Sequence, residues 1–164
     1  MKRRDFVKVG AIGSTALIIN SCSEKSTEKK SNKTLIRSQN IKAISTWNAG
    51  TEANKVALIQ LKKGESALDA IEKGLNITES DPNNTSVGIG GMPDENGLVT
   101  LDACIMDHEY NCGSVSFLQN IEHPISVARK VMELTPHVML SGKGAYDFAI
   151  KNGFPHQNLL TESL

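Results

Sequence analysis

Ser86-Val87-Gly88-Ile89-Gly90-Gly91-Met92-Pro93-Asp94-Glu95-Asn96-Gly97 is the stretch whose reading decides the fold. Its G-x-G-G spacing invites comparison with a phosphate-cradling turn. A dinucleotide fingerprint needs G-x-G-x-x-G and a helix directly after the loop. Here Asp94-Glu95-Asn96-Gly97 is a turn signal and residues 98–106 read as a strand. The loop is therefore backbone that turns tightly or passes close to a neighbour, which glycine does at low cost. A doubly wound nucleotide-binding fold is excluded on this reading.

Downstream, residues 107–111 turn the chain and 112–117 return as a partner strand, making a β-hairpin. His123-Pro124 opens a helix with Val127, Ala128, Val131 and Met132 on one face, ended by Pro136. A short strand at 138–140 precedes a last helix at 142–152, closed by Gly153. Upstream, residues 41–46 alternate apolar and polar, a strand running into Trp47. Thr51 caps a helix that carries Ala53, Val56, Ala57 and Leu61 at helical spacing and stops at Gly64. Ser66, with Asp69 three residues on, forms a capping box for the next helix. Ala67, Leu68, Ile71, Leu75 and Thr78 form its buried stripe. Asp81-Pro82-Asn83-Asn84 breaks the chain. No period repeats, and a hairpin combined with helical layers predicts an α+β sandwich.

A chain of 164 residues fits one domain. Apolar residues make up 39%, and the 13 glycines bring the chain to the level of a globular domain, about 45–50%. Lys and Arg number 18 and Asp and Glu 18, with no basic stripe interleaved with aromatics, so nucleic acid is excluded as a partner.

Residues 1–22 read as an export signal. Arg3-Arg4-Asp5-Phe6-Val7-Lys8 matches the twin-arginine pattern. The apolar run at 9–19 is too short to span a bilayer, which takes about 20 residues. Ile19-Asn20-Ser21-Cys22 is lipobox-like, making Cys22 the candidate lipidation site, with an ordinary cleaved signal as the alternative. Residues 23–33 are polar and charged and predict a flexible tether. Two lipid chains on Cys22 would hold residues 34–164 at a membrane surface. The expected location is the bacterial cell envelope, periplasmic and lipid-anchored.

The chemistry legible residue by residue is sparse. Cys104 and Cys112 read first as two free buried thiols, with a disulfide as the alternative. His108 and Cys112 lack a second ligand pair at zinc spacing, so no metal site is expected. Asp102, in an apolar strand, reads first as an acceptor of backbone hydrogen bonds and second as a catalytic carboxylate. His108, His123, His137 and His156 are scattered, with no triad-like context. Trp47 reads first as core filling.

Taken in order, Ser45-Thr46-Trp47-Asn48, residues 64–74, 86–97 and 101–107, residues 124–140 and Asn158-Leu159-Leu160-Thr161 resemble the N-terminal half of the glycosylasparaginases. The wider family includes plant-type asparaginases and isoaspartyl peptidases. The resemblance implies an N-terminal nucleophile hydrolase with an αββα sandwich, incomplete here. It implies an amidohydrolase that splits the side-chain amide of glycosylated asparagine or asparagine, without cofactor. The nucleophile of such enzymes is a threonine freed by self-cleavage in an Asp-Thr-x-Gly context. Its own α-amino group, with a pKa of roughly 7.7–8.0, serves as base. No Asp-Thr dipeptide occurs here, so no catalytic residue is assigned within these residues. Trp47 alone carries over, as a wall of the substrate pocket; relatives follow Trp-Asn with Phe, where Ala49 stands here.

The expected partners are the missing β-part of the precursor and, once complete, further αβ units in a homo-oligomer. Alone, the chain is expected to be inactive, with open sheet edges and an apolar face that favour aggregation. The alternatives are a non-enzymatic lipid-anchored binding module of the same fold, and an L-asparaginase or isoaspartyl peptidase of the same family.

Overall fold

A computed structural model of the chain describes residues 40–161. The export-signal, tether and Cys22 readings lie outside the described residues. The elements run α1 (Gly50–Lys62), α2 (Ala67–Glu79), β1 (Leu101–Met106), β2 (Cys112–Leu118), α3 (Pro124–Leu134), β3 (Leu140–Ser141) and α4 (Gly142–Lys151). This is an α+β arrangement around a three-stranded sheet of order β1-β2-β3.

Strands β1 and β2 are antiparallel, pairing Leu101 with Leu118 and Ile105 with Gly113. β3 runs parallel to β2. Asp107 holds the hairpin turn, its Oδ1 accepting the N–H groups of Glu109 and Asn111 at 2.8 and 2.9 Å. The register slips between Leu101 and Ala103, leaving an extra residue on β2. Phe117 takes up that slack at φ +52°, and its N–H donates to Asp102 Oδ1 at 2.8 Å. Asp102 is exposed and accepts a backbone hydrogen bond, as its first reading has it.

The core lies on one sheet face. Val127, Ala128 and Val131 of α3 and Ala145 and Ala149 of α4 pack with Ile105, Val115 and Leu118, all buried. α3 starts at Pro124, whose absent N–H is no loss at a first helical position.

Helices α1 and α2 form a hairpin closed by Gly64 at φ +84°. The capping box of α2 is present: Ser66 Oγ accepts the Asp69 N–H at 3.1 Å and Asp69 Oδ2 accepts the Ser66 N–H at 3.3 Å. Three expectations need correction. Thr51 is not the cap of α1; Ala49 is, and the Thr51 hydroxyl donates to the Asn48 carbonyl at 2.8 Å. The buried positions of α2 are Ala70, Gly74 and Glu79, while Ala67, Ile71 and Leu75 are exposed. The two helices meet through small residues, Ala53 and Ala57 against Ala70 and Gly74. A Cβ on Gly74 would come within 2.7 Å of the Ala53 carbonyl oxygen. Finally, residues 41–46 form no strand, because no described strand lies beside them to take their hydrogen bonds.

After α2 the glycine-rich loop folds back on the helix it leaves. At Gly88, φ is +73° and a Cβ would collide with the Glu79 backbone. Gly88→Ala is expected to cost about 2 kcal/mol or more, because it adds left-handed strain to a backbone clash. The midpoint of urea unfolding reads that loss; an unchanged midpoint would mean the loop can move away from α2.

Candidate functional site

Trp47 stands at the entry to α1. The Gly50 N–H donates to its carbonyl at 3.0 Å, and the Thr51 N–H donates to the Asn48 carbonyl at 3.0 Å. Ser45 Oγ donates to Asn54 Oδ1 at 2.7 Å, tying the segment to the helix. The main chain is thus fixed while the indole is 80% exposed. Trp47 is therefore not core filling. A cleft of about 340 Å³ opens between residues 42–45, which precede Trp47 in the chain, and the α1–α2 hairpin, lined by Ile44, Ser45, Ala57, Ile71 and Leu75. An exposed aromatic on a pinned backbone suits stacking against a ligand.

Four successive N–H groups of the glycine-rich loop are committed within the fold rather than offered to a phosphate. They are Ile89 on the Glu79 carbonyl (2.8 Å), Gly90 on Leu159 (2.8 Å), Gly91 on Gly88 (3.2 Å) and Met92 on Thr85 (2.9 Å). The loop is a backbone junction between α2 and the segment around Leu159, which is buried with Val99 and Leu101.

A buried acid escaped the sequence reading. Glu79 is 3% exposed, at the end of α2. Its Oε1 accepts the Ile125 N–H at 3.0 Å, capping α3, and its Oε2 faces His123 Nδ1 at 3.1 Å. His123 Nε2 lies 3.7 Å from Glu122. Burial pushes the Glu79 carboxyl above its usual range, with the His123 hydrogen bond pulling the other way. The hydrogen bond to Glu79 pushes His123 up, against the effect of burial. Glu79 lies 44 positions before His123, with the β1–β2 hairpin between them, so nothing in the sequence signals the pair without the fold.

Other groups are dispersed. A cavity of about 440 Å³ lies far along the chain from Trp47, lined by Phe117, Asn120, Lys143, Tyr146 and His156. There the Tyr146 hydroxyl and His156 Nδ1 are 3.0 Å apart. His123 and His156 thus face a carboxylate and a phenol, and neither activates a nucleophile as in a triad. Cys104 and Cys112 are free but not buried: Cys104 is exposed and Cys112 half-buried, because their strand face carries no helix. Among the described residues no group of three or more His, Cys, Asp or Glu side chains gathers at metal-binding distance.

Comparison with known proteins adds what geometry alone does not. The asparaginase family model (Asparaginase_2) matches residues 15–164. The chain is similar to the N(4)-(beta-N-acetylglucosaminyl)-L-asparaginase of Elizabethkingia miricola, 51% identical over 164 residues, 97% of this chain and 46% of that protein. It is 43% identical over 121 residues to the enzyme of the same name from Rattus norvegicus, covering 73% of this chain and 35% of that one. A plant-type L-asparaginase of Pyrococcus horikoshii is 44% identical over 112 residues, 68% of this chain and 36% of that protein. The chain thus spans less than half the length of these relatives.

Glu79 and His123 make stability depend on pH. Both hold their protons more tightly folded than unfolded, so the native state loses ground as pH rises. The His123 contribution is complete below its ordinary value of 6.5 and disappears as pH passes its raised folded value. The melting temperature is expected to fall from pH 6.5 upward, and His123→Asn is expected to flatten that slope. Equal slopes in the two proteins would remove His123 as the cause.

Proposed function

The chain belongs to the asparaginase family, and from that membership we propose that it supplies the supporting half of an amidohydrolase acting on N-glycosylated asparagine. The observation that carries this is 51% identity to an N(4)-(beta-N-acetylglucosaminyl)-L-asparaginase across 97% of the chain. The second reading, an L-asparaginase or isoaspartyl peptidase, is favoured by the 44% identity to a plant-type L-asparaginase.

In the proposed mechanism a threonine outside these 164 residues attacks the side-chain carbonyl carbon. Its α-amino group takes the hydroxyl proton and returns it to the leaving amine. The resulting ester is then hydrolysed by water. This half contributes Trp47, whose indole would lie against the substrate and exclude water from one side of the reacting amide. Ala49 beside it leaves room for a bulky sugar. The sheet would be one layer of an αββα sandwich, its second sheet supplied by the threonine-bearing segment. The open face bearing Asp102, Cys104 and Met106 supports this placement. We also propose an envelope location, with Cys22 as lipid anchor and αβ units assembling into a homo-oligomer; the sequence of residues 1–33 supports the first part.

The test is a chimera joining this chain to the remaining segment of the Elizabethkingia miricola relative. It is expected to release aspartate from N-acetylglucosaminyl-asparagine faster than from free asparagine or a β-aspartyl dipeptide. In that chimera Trp47→Ala is expected to lower kcat/KM about 10- to 100-fold, roughly 1.4–2.7 kcal/mol of transition-state binding, with Trp47→Phe restoring most of it. Preference for free asparagine would select the second reading.

A further inference from the structure

The free thiols of the hairpin have a geometry that the proposed reaction does not use. Cys104 is paired in register with Ser114, and Cys112 with Met106. The two cysteines are therefore diagonal neighbours on one face of the β1–β2 ribbon. The right-handed twist of a two-stranded ribbon draws one diagonal together. Here the sulfurs are 3.6 Å apart, each the hydrogen-bonding partner of the other.

We propose that Cys104 and Cys112 are an oxidation site that closes to a cross-hairpin disulfide. Shortening 3.6 Å to the bonding distance of about 2.05 Å takes side-chain rotation within a hairpin whose register is already set. The turn meets the closure cost in advance. Asp107 accepts from Glu109, Asn111 and the Asn111 side chain, and the Asp107 N–H donates to the Asn111 carbonyl at 3.0 Å.

The oxidant is a small or protein disulfide. The exposed Cys104 thiolate attacks one of its sulfurs, breaking the S–S bond and expelling one thiolate. The Cys112 thiolate then attacks Cys104 Sγ and expels the second. Two cysteine thiols and one disulfide become one cysteine disulfide and two thiols, and the two protons end on the leaving groups. The hydrogen bond with Cys112 pushes the Cys104 thiol up, so the reaction speeds up as pH rises. On the sandwich reading above, this face is covered once a second sheet docks, so closure precedes docking. The disulfide itself does not depend on that reading.

The experiment treats the full 164-residue chain with oxidised glutathione, blocks remaining thiols and cuts it after glutamate. Cleavage after Glu95, Glu109 and Glu122 separates the two cysteines. The expected product is residues 96–109 joined to 110–122, lighter than the reduced pair by two hydrogens, with two of the three cysteines lost to thiol reagents. Against a glutathione buffer, the closing equilibrium is expected to be at least about tenfold more favourable in buffer than in urea. Cys112→Ser is expected to leave Cys104 as a mixed disulfide with glutathione. Two free thiols in the wild-type chain, a link to Cys22, or equal equilibria with and without urea would each overturn the proposal.

Discussion

One buried carboxylate organises the described residues. Glu79 ends α2, and its side chain caps α3 through the Ile125 N–H. Its own carbonyl receives the Ile89 N–H, and Gly88 lies against its backbone. Three segments distant in sequence are thus joined at one residue. A charge so deeply placed is tolerable because donors surround it: a backbone N–H, His123 and, with its amide nitrogen turned inward, Asn76 at 3.1 Å. Removing the carboxylate would leave the α3 terminus uncapped and His123 without its partner, so the loss would spread beyond one contact.

A second electrostatic seam runs beside it. Arg129 of α3 reaches Asp69 and Glu72 of α2 at 2.7 Å and Glu133 at 2.6 Å. Its three carboxylate partners hold the guanidinium charged despite partial burial. Asp69 serves twice, closing the capping box and receiving Arg129; the Ser66 hydrogen bond, then Arg129, hold its carboxyl below the usual range. The α1–α2 hairpin is therefore tied to α3 by polar contacts and by Leu68 against the core, whereas α3 and α4 are held on the sheet by apolar burial.

Local chemistry made much of this legible. The Ser66–Asp69 box, the Asp107 turn, the Pro124 start and the hairpin itself follow from residues adjacent in sequence. The errors have a common physical origin. The α2 stripe was read from large apolar residues, yet α1 and α2 approach through Ala and Gly, because close backbone contact demands small side chains rather than oily ones. Residues 41–46 have strand-like alternation, but a strand is a property of a pair, and no partner lies among the described residues. Glu79 was invisible because a buried acid is defined by donors that arrive from elsewhere. Trp47, by contrast, was assigned from resemblance, and its exposure on a pinned backbone is compatible with that role.

The distribution of exposed apolar side chains ties these points together. Ile44, Ile71 and Leu75 line one cleft, Trp47 follows that cleft's first wall in the chain, and Met106 stands on the open sheet face. Scattered exposed apolar residues are ordinary; clusters of them mark surfaces that meet something. The polar device at Glu79 fixes where the α1–α2 hairpin stands relative to the sheet, so it also fixes where that cleft and that face present themselves. The described residues thus combine a polar junction with uncovered apolar surface on either side. On the proposed function, such a junction would present the cleft and Trp47 to a closing wall and a reactive group supplied by another segment.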